Sequence, residues 1–146
     1  MINERTELRR KVQRLLRENY PARKHQMEIL PDRIRTEEAR LTAIRSSVAE
    51  STSGGQSDRQ ERDIAIMVTI GQLKAELTAA KFDVATIERI LKTLSPEEYR
   101  CVELCYLEQR PGAIEQLCEE LYREKSSVYD ILNTARDKIA LLYWAE

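Results

Sequence analysis

The sequence predicts an all-α protein: a long antiparallel helical hairpin followed by a C-terminal domain of three helices. Three observations predict this class. Apolar residues recur every three or four positions over most of the 146 residues, which is the period of a helix buried on one face. Valine and isoleucine do not alternate with polar residues over any long stretch, so no sheet is expected. Charged residues make up 34% and apolar residues 42% of the chain, which suits helices with one solvated face and one core face.

Residues 4–19 form the first predicted helix, which is amphipathic and basic. Leu8, Val12, Leu15 and Leu16 recur at helical spacing. The helix is expected to end near Tyr20, because the proline that follows disfavours an α conformation before it. Two interpretations stay open: an arm that binds nucleic acid, or a docked helix whose charged face is solvated. The cations of this helix are Arg5, Arg9, Arg10, Lys11, Arg14 and Arg17.

Two heptad seams follow, and they predict a pair of long helices. The first seam lacks one apolar position, at Glu37, and contains Pro31, which is expected to kink or begin the helix. The second seam is unbroken over about four heptads. An intramolecular hairpin is favoured, with pairing to a second copy of the chain as the alternative. The seams are Met27, Leu30, Ile34, Leu41, Ile44 and Val48, then Ile66, Ile70, Leu73, Leu77, Ala80, Val84, Ile87, Leu91 and Leu94.

A Gly- and Ser-rich stretch, "STSGGQSD" (51–58), separates the two seams. Paired glycines free the backbone, and Ser and Asp offer caps for a following helix. The predicted domains are therefore residues 1–93, with the basic helix, the hairpin and a linker at 51–60, and residues 94–146.

The second domain opens with "LSPEEY" (94–99). Ser95 is a good N-cap, Pro96 suits the first helical position, and Glu98 completes a capping box. "QRPG" (109–112) should end this helix. Two further helices are expected at about 113–121 and about 125–143.

The last two predicted helices have the pattern of a helix-turn-helix, in which apolar residues join two helices and the second leaves its outer face free. The inward positions are Ile114, Leu117, Cys118 and Leu121 on the first helix and Val128, Ile131, Leu132 and Ala135 on the second. The outward positions all carry groups that form hydrogen bonds with DNA bases or phosphates: Lys125, Ser126, Ser127, Tyr129, Asp130 and Asn133. Arg123 and Arg136 complete the predicted DNA-binding set.

This stretch resembles region 4 of sigma-70-type transcription factors, including its opening helix "LSPEEYRCVELCYLE" (94–108). The whole chain is similar to small phage and mobile-element proteins of the RinA/ArpU-like group. The matching pieces are "ENYPARK" (18–24), "GGQS" (54–57) and "IEQLCEELYREKSSVY" (114–129). The resemblance implies a sigma region 4-like fold for the C-terminal domain and transcriptional regulation with RNA polymerase. One departure is the turn, where Tyr122, Arg123 and Glu124 replace the family's Gly, apolar residue and Ser; a cap shifted to Lys125-Ser126 is one way to accommodate it.

Charge is distributed unevenly along the chain. Residues 1–50 carry a net charge of +4, residues 51–94 carry 0, and residues 95–146 carry −5. Because Lys and Arg supply most of the affinity for DNA, the acidic C-terminal domain is expected to bind DNA weakly alone. The basic N-terminal helix, a dimer or RNA polymerase would compensate. Glu115, Glu119 and Glu120 are expected on the back of the first helix of the motif, away from phosphate.

The sequence contains no pattern typical of an enzyme or a metal site. His25 and the three cysteines lack the paired spacing of a zinc site, and no Gly-rich phosphate loop or nucleophile–base set is present. No catalytic residue, metal or cofactor is therefore predicted. No membrane span or signal peptide is expected either, and the unpaired cysteine count suits a cytoplasmic protein.

The expected function is that of a sequence-specific DNA-binding transcriptional regulator acting on phage or mobile-element promoters. Double-stranded DNA is the expected partner, with RNA polymerase and a second copy of the chain as further candidates. The alternative is a helical protein–protein adaptor that binds polymerase or another factor without DNA contact. A purely structural coiled coil is the third interpretation.

Overall fold

The computed structural model describes residues 3–50 and 56–145, and the side chains of all of these except residues 48–50 and 56–57. All regular structure in these residues is helical, without a strand, which confirms the predicted all-α class. No helix among them is long and apolar enough to cross a membrane. The elements are α1 (Glu4–Arg14), a π-helical turn (Leu15–Asn19), α2 (Tyr20–Glu50), α3 (Gln56–Leu91), α4 (Pro96–Val102), a second π-helical turn (Glu103–Leu107), α5 (Ala113–Leu121) and α6 (Lys125–Tyr143).

The chain divides into two units. The hairpin unit is Arg23–Phe82, and the compact unit combines Met1–Ala22 with Asp83–Glu146. This division differs from the predicted boundary between residues 93 and 94, because the N-terminal helix and residues 83–93 group with the C-terminal helices. Of the predicted linker at 51–60, residues 51–55 lie outside the described residues, and the part from Gln56 onward already belongs to α3.

The hairpin unit is formed by α2 and α3, which run antiparallel. Leu30 and Ile34 of α2 pack against Leu73 of α3 in a small buried cluster. Closer to the connection between the helices, Arg45 of α2 pairs with Asp63 of α3 through two N–O distances of 3.1 and 3.2 Å. Moving along α2 toward its end therefore means moving along α3 toward its start, as the two heptad seams suggest.

The compact unit has one hydrophobic core, to which the N-terminal helix contributes. Val12 and Leu16 are fully buried in it. The guanidinium of Arg9 donates to both carboxylate oxygens of Asp137 in α6, at 2.9 and 3.0 Å. The apolar face of α1 is thus docked on the C-terminal helices. The core includes Val12, Leu15, Leu16, Ile87, Ile90, Leu91, Leu94, Cys101, Val102, Leu104, Tyr106, Leu117, Val128, Leu132, Ala135 and Ile139.

The predicted end of the first helix near Tyr20 is wrong. The chain passes from α1 through the π-helical turn into α2, and the backbone N–H of Tyr20 donates to the carbonyl of Leu15, five residues earlier. Pro21 has no N–H to donate to the carbonyl of Arg17, four residues earlier. Gln109 Nε2 donates to that carbonyl instead, at 3.4 Å. The proline therefore follows the π turn without ending the helix. Pro31 also lies inside α2 rather than at its start.

The start of α4 has the predicted capping box. The hydroxyl of Ser95 accepts a hydrogen bond from the N–H of Glu98 at 3.2 Å, and the Glu98 carboxylate accepts one from the N–H of Ser95 at 2.8 Å. The same carboxylate is buried and also accepts a hydrogen bond from Lys138 of α6 at 2.9 Å. One side chain therefore fixes the start of α4 and joins it to α6.

Replacement of Glu98 by Gln is expected to destabilise the compact unit at neutral pH by about 1–3 kcal/mol, because Lys138 loses its charged acceptor. Burial raises the pKa of Glu98, but the hydrogen bonds from Lys138 and Ser95 outweigh it, so the pKa lies below its ordinary value. The ionised carboxylate therefore stabilises the fold fully above the unfolded-state pKa of about 4.3. That contribution is lost as the pH falls through the lowered folded-state pKa.

Urea denaturation of the wild type and Glu98→Gln, from neutral pH to about pH 3, measures this contribution. The difference in free energy of unfolding between the two proteins should hold at neutral pH and shrink at the acid end. A difference that does not change with pH would contradict the ionic role of Glu98.

Candidate nucleic-acid interface

The last two helices have the bounds that the sequence predicts. α5 follows Gly112, which adopts the left-handed conformation with φ of 70°. The connection between α5 and α6 comprises residues 122–124, and α6 begins directly after it at Lys125. A short helix, a three-residue turn and a longer helix are the components of a helix-turn-helix.

Apolar side chains join the two helices as expected. Leu117 of α5 and Val128, Leu132 and Ala135 of α6 are buried in the core of the compact unit. The remaining predicted inward residues are half-buried and pack on the same core: Ile114, Cys118, Leu121 and Ile131. Because these positions face inward, the opposite side of α6 is left facing away from the core.

The turn carries backbone strain at Tyr122. This residue adopts the left-handed conformation with φ of 54°, and its side chain is 95% exposed. A left-handed residue other than glycine costs about 1–2 kcal/mol, so glycine would be less strained at this position. Glu124 occupies the N-cap position of α6, although its side chain accepts no capping hydrogen bond. The alternative of a cap shifted to Lys125-Ser126 is therefore wrong.

The front of α6 exposes most of the predicted DNA-binding side chains. Lys125, Ser126 and Asp130 are exposed, and Tyr129 is 42% exposed. Lys125 forms no ion pair within the described residues, so its charge is available to a phosphate. Ser127 and Asn133 are half-buried at the edges of this surface.

The two predicted arginines are engaged within the compact unit. Arg123 lies 3.2 Å from the carboxylate of Glu97 in an ion pair. Arg136 donates to the side chain of Asn133 and is half-buried, with a buried Nε that has no hydrogen-bond partner in the described structure. Burial raises the pKa of the neighbouring Tyr106, while Arg136 lowers it. Both arginines therefore have partners within the compact unit, and the sequence did not indicate these partners.

One acidic side chain of the motif, Glu120, is neutralised by an arginine of a neighbouring helix. Glu120 receives hydrogen bonds from Arg100 of α4 at 2.8 Å, which lower its pKa to about 2. Glu119 is exposed on α5. The sequence predicts Glu115 on the back of α5, and this is wrong, because Glu115 lines a cleft together with Tyr129. The negative charge of Glu120 is therefore neutralised by α4, whereas that of Glu115 remains at the cleft.

This cleft, of about 410 Å³, lies at the start of α5 and includes one residue, Arg17, of the first π-helical turn. Arg17, Arg110 and Gln109 line it beside Tyr129 of α6. Arg17 stacks over the Tyr106 ring, 5.2 Å from its centroid, and donates to the carbonyl of Cys105 at 3.3 Å. The sequence did not bring Arg17 and Tyr129 together, because no local pattern connects residues more than a hundred positions apart.

Metal binding and cysteine nucleophiles are the other kinds of site to consider in the described part of the chain. No group of three or more His, Cys, Asp or Glu side chains there lies close enough to hold a metal ion. Burial raises the pKa of the Cys101 thiol to about 12 and also raises that of Cys105, so neither forms a thiolate nucleophile near neutral pH.

No model of a known protein family, no curated protein and no solved structure matches this chain. The resemblance to region 4 of sigma factors therefore stays an inference from the residues quoted above. Two surfaces of the compact unit are available for binding: the exposed front of α6, and the cleft beside it that Arg17, Arg110 and Glu115 line.

Proposed function

We propose that this protein is a sequence-specific DNA-binding transcriptional regulator of the sigma region 4-like kind, which acts on phage or mobile-element promoters together with RNA polymerase. The observation that carries the proposal is the exposed polar front of α6, held on α5 by a buried apolar face. Lys125, Ser126 and Tyr129 stand on this front with no core role.

Insertion of α6 into the major groove uses this front. The groove of B-DNA is about 12 Å wide and admits one α-helix. Hydroxyl and amide groups at Ser126, Tyr129 and Asn133 have the hydrogen-bonding capacity to read base edges, whereas Lys125 meets phosphate or guanine. Asp130 is an acceptor, which suits the amino group of cytosine and repels phosphate.

Phosphate contacts come from cations that flank α6. Arg17 and Arg110 line the cleft beside Tyr129, although Arg110 also pairs with Glu108 at 2.8 Å. Residues 1–22 carry six Lys or Arg and three Asp or Glu, so the docked N-terminal helix adds positive charge to an acidic C-terminal segment. The sequence suggests this helix as one source of positive charge that compensates for the acidic C-terminal domain.

Mutation of the front of α6 is expected to weaken DNA binding. Lys125→Ala should lower affinity for the target promoter roughly tenfold, because one phosphate contact is lost, and should make binding less salt-dependent. Tyr129→Ala should cost about 1–3 kcal/mol if the phenol contacts a base. Crosslinking of the tagged protein across its host genome identifies the promoter, and gel shifts over a range of salt concentrations measure both effects.

Lys92→Ala is the matched control, because Lys92 is also an exposed lysine of the compact unit but lies outside the cleft and the front of α6. Its affinity and salt dependence should equal those of the wild type. Unchanged promoter affinity in both Lys125→Ala and Tyr129→Ala would exclude α6 as the reading helix.

A protein adaptor without DNA contact is the second candidate, and one observation favours it. An apolar groove of about 620 Å³ runs between α1 and the end of α6, bordered by Leu8, Leu141 and Trp144. Leu141 is 71% exposed there, which is typical of a protein-binding surface. An adaptor should bind polymerase in a pull-down through this groove, lose that binding in Leu141→Glu, and show no DNA affinity even at low salt.

A further inference from the structure

Two arginines of the compact unit are half-buried without a carboxylate partner. The half-buried arginines of this unit within the described residues are Arg9, Arg17, Arg100 and Arg136. Arg9 and Arg100 each pair with a carboxylate of another helix. Arg17 and Arg136 form no ion pair with any carboxylate in the described part of the chain. A charge that is partly withdrawn from water is unfavourable unless it is paired, so these two guanidiniums lack a counter-ion.

The same two arginines carry unsatisfied hydrogen-bond donors. Among the described side chains, the Nε atoms of Arg17 and Arg136 are the buried polar atoms that have no hydrogen-bond partner. A buried N–H without an acceptor is unfavourable, and here it belongs to a charged group. An anion against either guanidinium would compensate its charge.

Both guanidiniums lie close to Tyr106, which belongs to the second π-helical turn. Arg17 comes from the first π-helical turn; its Cζ lies 5.2 Å from the centroid of the Tyr106 ring, and its Nη2 donates to the carbonyl of Cys105 at 3.3 Å. Arg136 lowers the pKa of the Tyr106 hydroxyl, both by its charge and as a hydrogen-bond donor. Both arginines also lower the pKa of Cys105, to which no carboxylate contributes. The surroundings of this π-helical turn are therefore positively charged, and π-helical turns occur frequently at functional sites.

This pair of cations borders the front of α6. Arg17 lines the cleft together with Tyr129. Arg136 follows Tyr129 by seven positions in α6, which is about two helical turns along the same face. Phosphates line both sides of the major groove, so a helix in the groove has a row of phosphates along each flank. The flank of α6 that carries Arg136 would thus face one of these rows.

We propose that Arg17 and Arg136 together bind one backbone phosphate of the DNA that α6 enters. Guanidinium suits this ligand, because its fork of N–H donors binds two phosphate oxygens at once. The inference rests on the proposed function, since it takes α6 as the helix in the groove. A phosphate held by two arginines from distant parts of the chain would fix the register of α6 on the duplex without reading sequence.

Two carboxylates lie near this phosphate site. Asp137 follows Arg136 in the sequence, but both of its oxygens accept hydrogen bonds from Arg9. Glu115 lines the cleft and forms no ion pair within the described residues. It lies in the first turn of α5, where the start of the helix favours negative charge. Removal of the Glu115 charge should therefore strengthen phosphate binding.

Replacement of single phosphates by methylphosphonate in the promoter duplex tests the site, because each replacement removes one backbone charge. In gel shifts, the wild type should lose affinity about tenfold at one phosphate beside α6. Arg17→Gln and Arg136→Gln should each bind the unmodified duplex about tenfold more weakly, with a salt slope lower by about 1. Both variants should be insensitive to methylphosphonate at that same phosphate. Glu115→Gln should gain affinity only when that phosphate is charged.

Arg89→Gln is the matched control, because Arg89 is an exposed arginine of the compact unit that lies outside the cleft and the front of α6. Its affinity for every duplex should equal that of the wild type. Circular dichroism checks that each variant is folded. Where Arg136→Gln is unfolded, Arg136→Lys replaces it; this variant keeps the charge but loses the fork, and its loss of affinity at the critical methylphosphonate should be smaller than that of the wild type.

Free phosphate is the other source of the same chemistry. A rise in the melting temperature of the wild type with inorganic phosphate, abolished in Arg17→Gln and accompanied by no methylphosphonate effect, would assign the site to free phosphate and overturn the DNA assignment. Arginine variants that stay as sensitive as the wild type to every methylphosphonate would overturn the two-arginine site. Lys125→Ala and Tyr129→Ala would then still decide the proposed function, whereas a wild type without DNA affinity at low salt excludes both.

Discussion

Leu16→Ala is expected to lower the free energy of unfolding of the compact unit by about 2–5 kcal/mol, the range for a large buried side chain truncated in a core. Leu16 is 0% exposed, and it lies in the same cluster as Leu117 of α5 and Val128 of α6. Domains of this size are typically stable by about 5–15 kcal/mol. Truncation of this one leucine near the N-terminus should therefore greatly destabilise a motif about a hundred residues away in the sequence.

Urea unfolding followed by tryptophan fluorescence measures this effect. Trp144 is the only tryptophan in the chain and packs edge-to-face on Tyr143, with ring centroids 4.9 Å apart, so its emission reports on the compact unit. Leu8→Ala is the control, because Leu8 lies on the same helix but is 39% exposed. The control should lose less than about 1 kcal/mol. Equal losses for Leu8→Ala and Leu16→Ala would show that α1 is not part of the core.

A fragment of residues 94–146, which the sequence suggests as a domain, is expected not to fold by itself. Such a fragment lacks Val12, Leu15 and Leu16 of the N-terminal segment and Ile87 and Leu91 of α3. Their removal exposes the apolar side of α5 and α6, so we expect no cooperative unfolding transition. A fragment that unfolds cooperatively would show that the C-terminal helices suffice for the core.

Local signals in the sequence predict much of this fold. The capping box at Ser95, the bounds of α5 and α6, and the inward residues of both helices depend on neighbours within a few positions. The exposed front of α6 follows from the same periodicity. These features need no knowledge of which helices meet in space.

The sequence does not determine which distant helices and side chains contact each other. The apolar face of α1 is compatible with any apolar surface, and docking on the compact unit depends on tertiary packing, with Arg9 and Asp137 as one visible result. The pairing of Arg123 with Glu97 and the position of Arg17 in the cleft of Tyr129 also depend on tertiary packing.

The second large effect concerns DNA affinity. Arg10→Glu/Lys11→Glu is expected to weaken promoter binding about 100-fold at moderate salt and to lower the slope of log affinity against log salt by about 2, since each cation neutralises about one phosphate. Both side chains are exposed, and neither forms an ion pair within the described residues. The contact of Arg9 with Asp137 shows that α1 runs beside α6, and Arg17, in the turn after α1, lines the cleft of Tyr129. Cations of the N-terminal segment therefore lie next to the helix proposed to enter the groove.

Arg33→Glu/Arg62→Glu is the matched control, because it makes the same change in net charge at exposed positions of the hairpin unit. General repulsion between the chain and DNA would weaken both variants alike and leave their salt slopes similar. A loss of promoter affinity and of salt slope in the α1 variant alone would identify α1 as a phosphate-binding helix. The thermal stability of this variant should equal that of the wild type, because its two residues lie outside the core. Equal affinities for the α1 variant and the wild type would instead favour the other interpretation of α1, in which its charged face is only solvated, and would leave phosphate binding to Lys125 and the cleft.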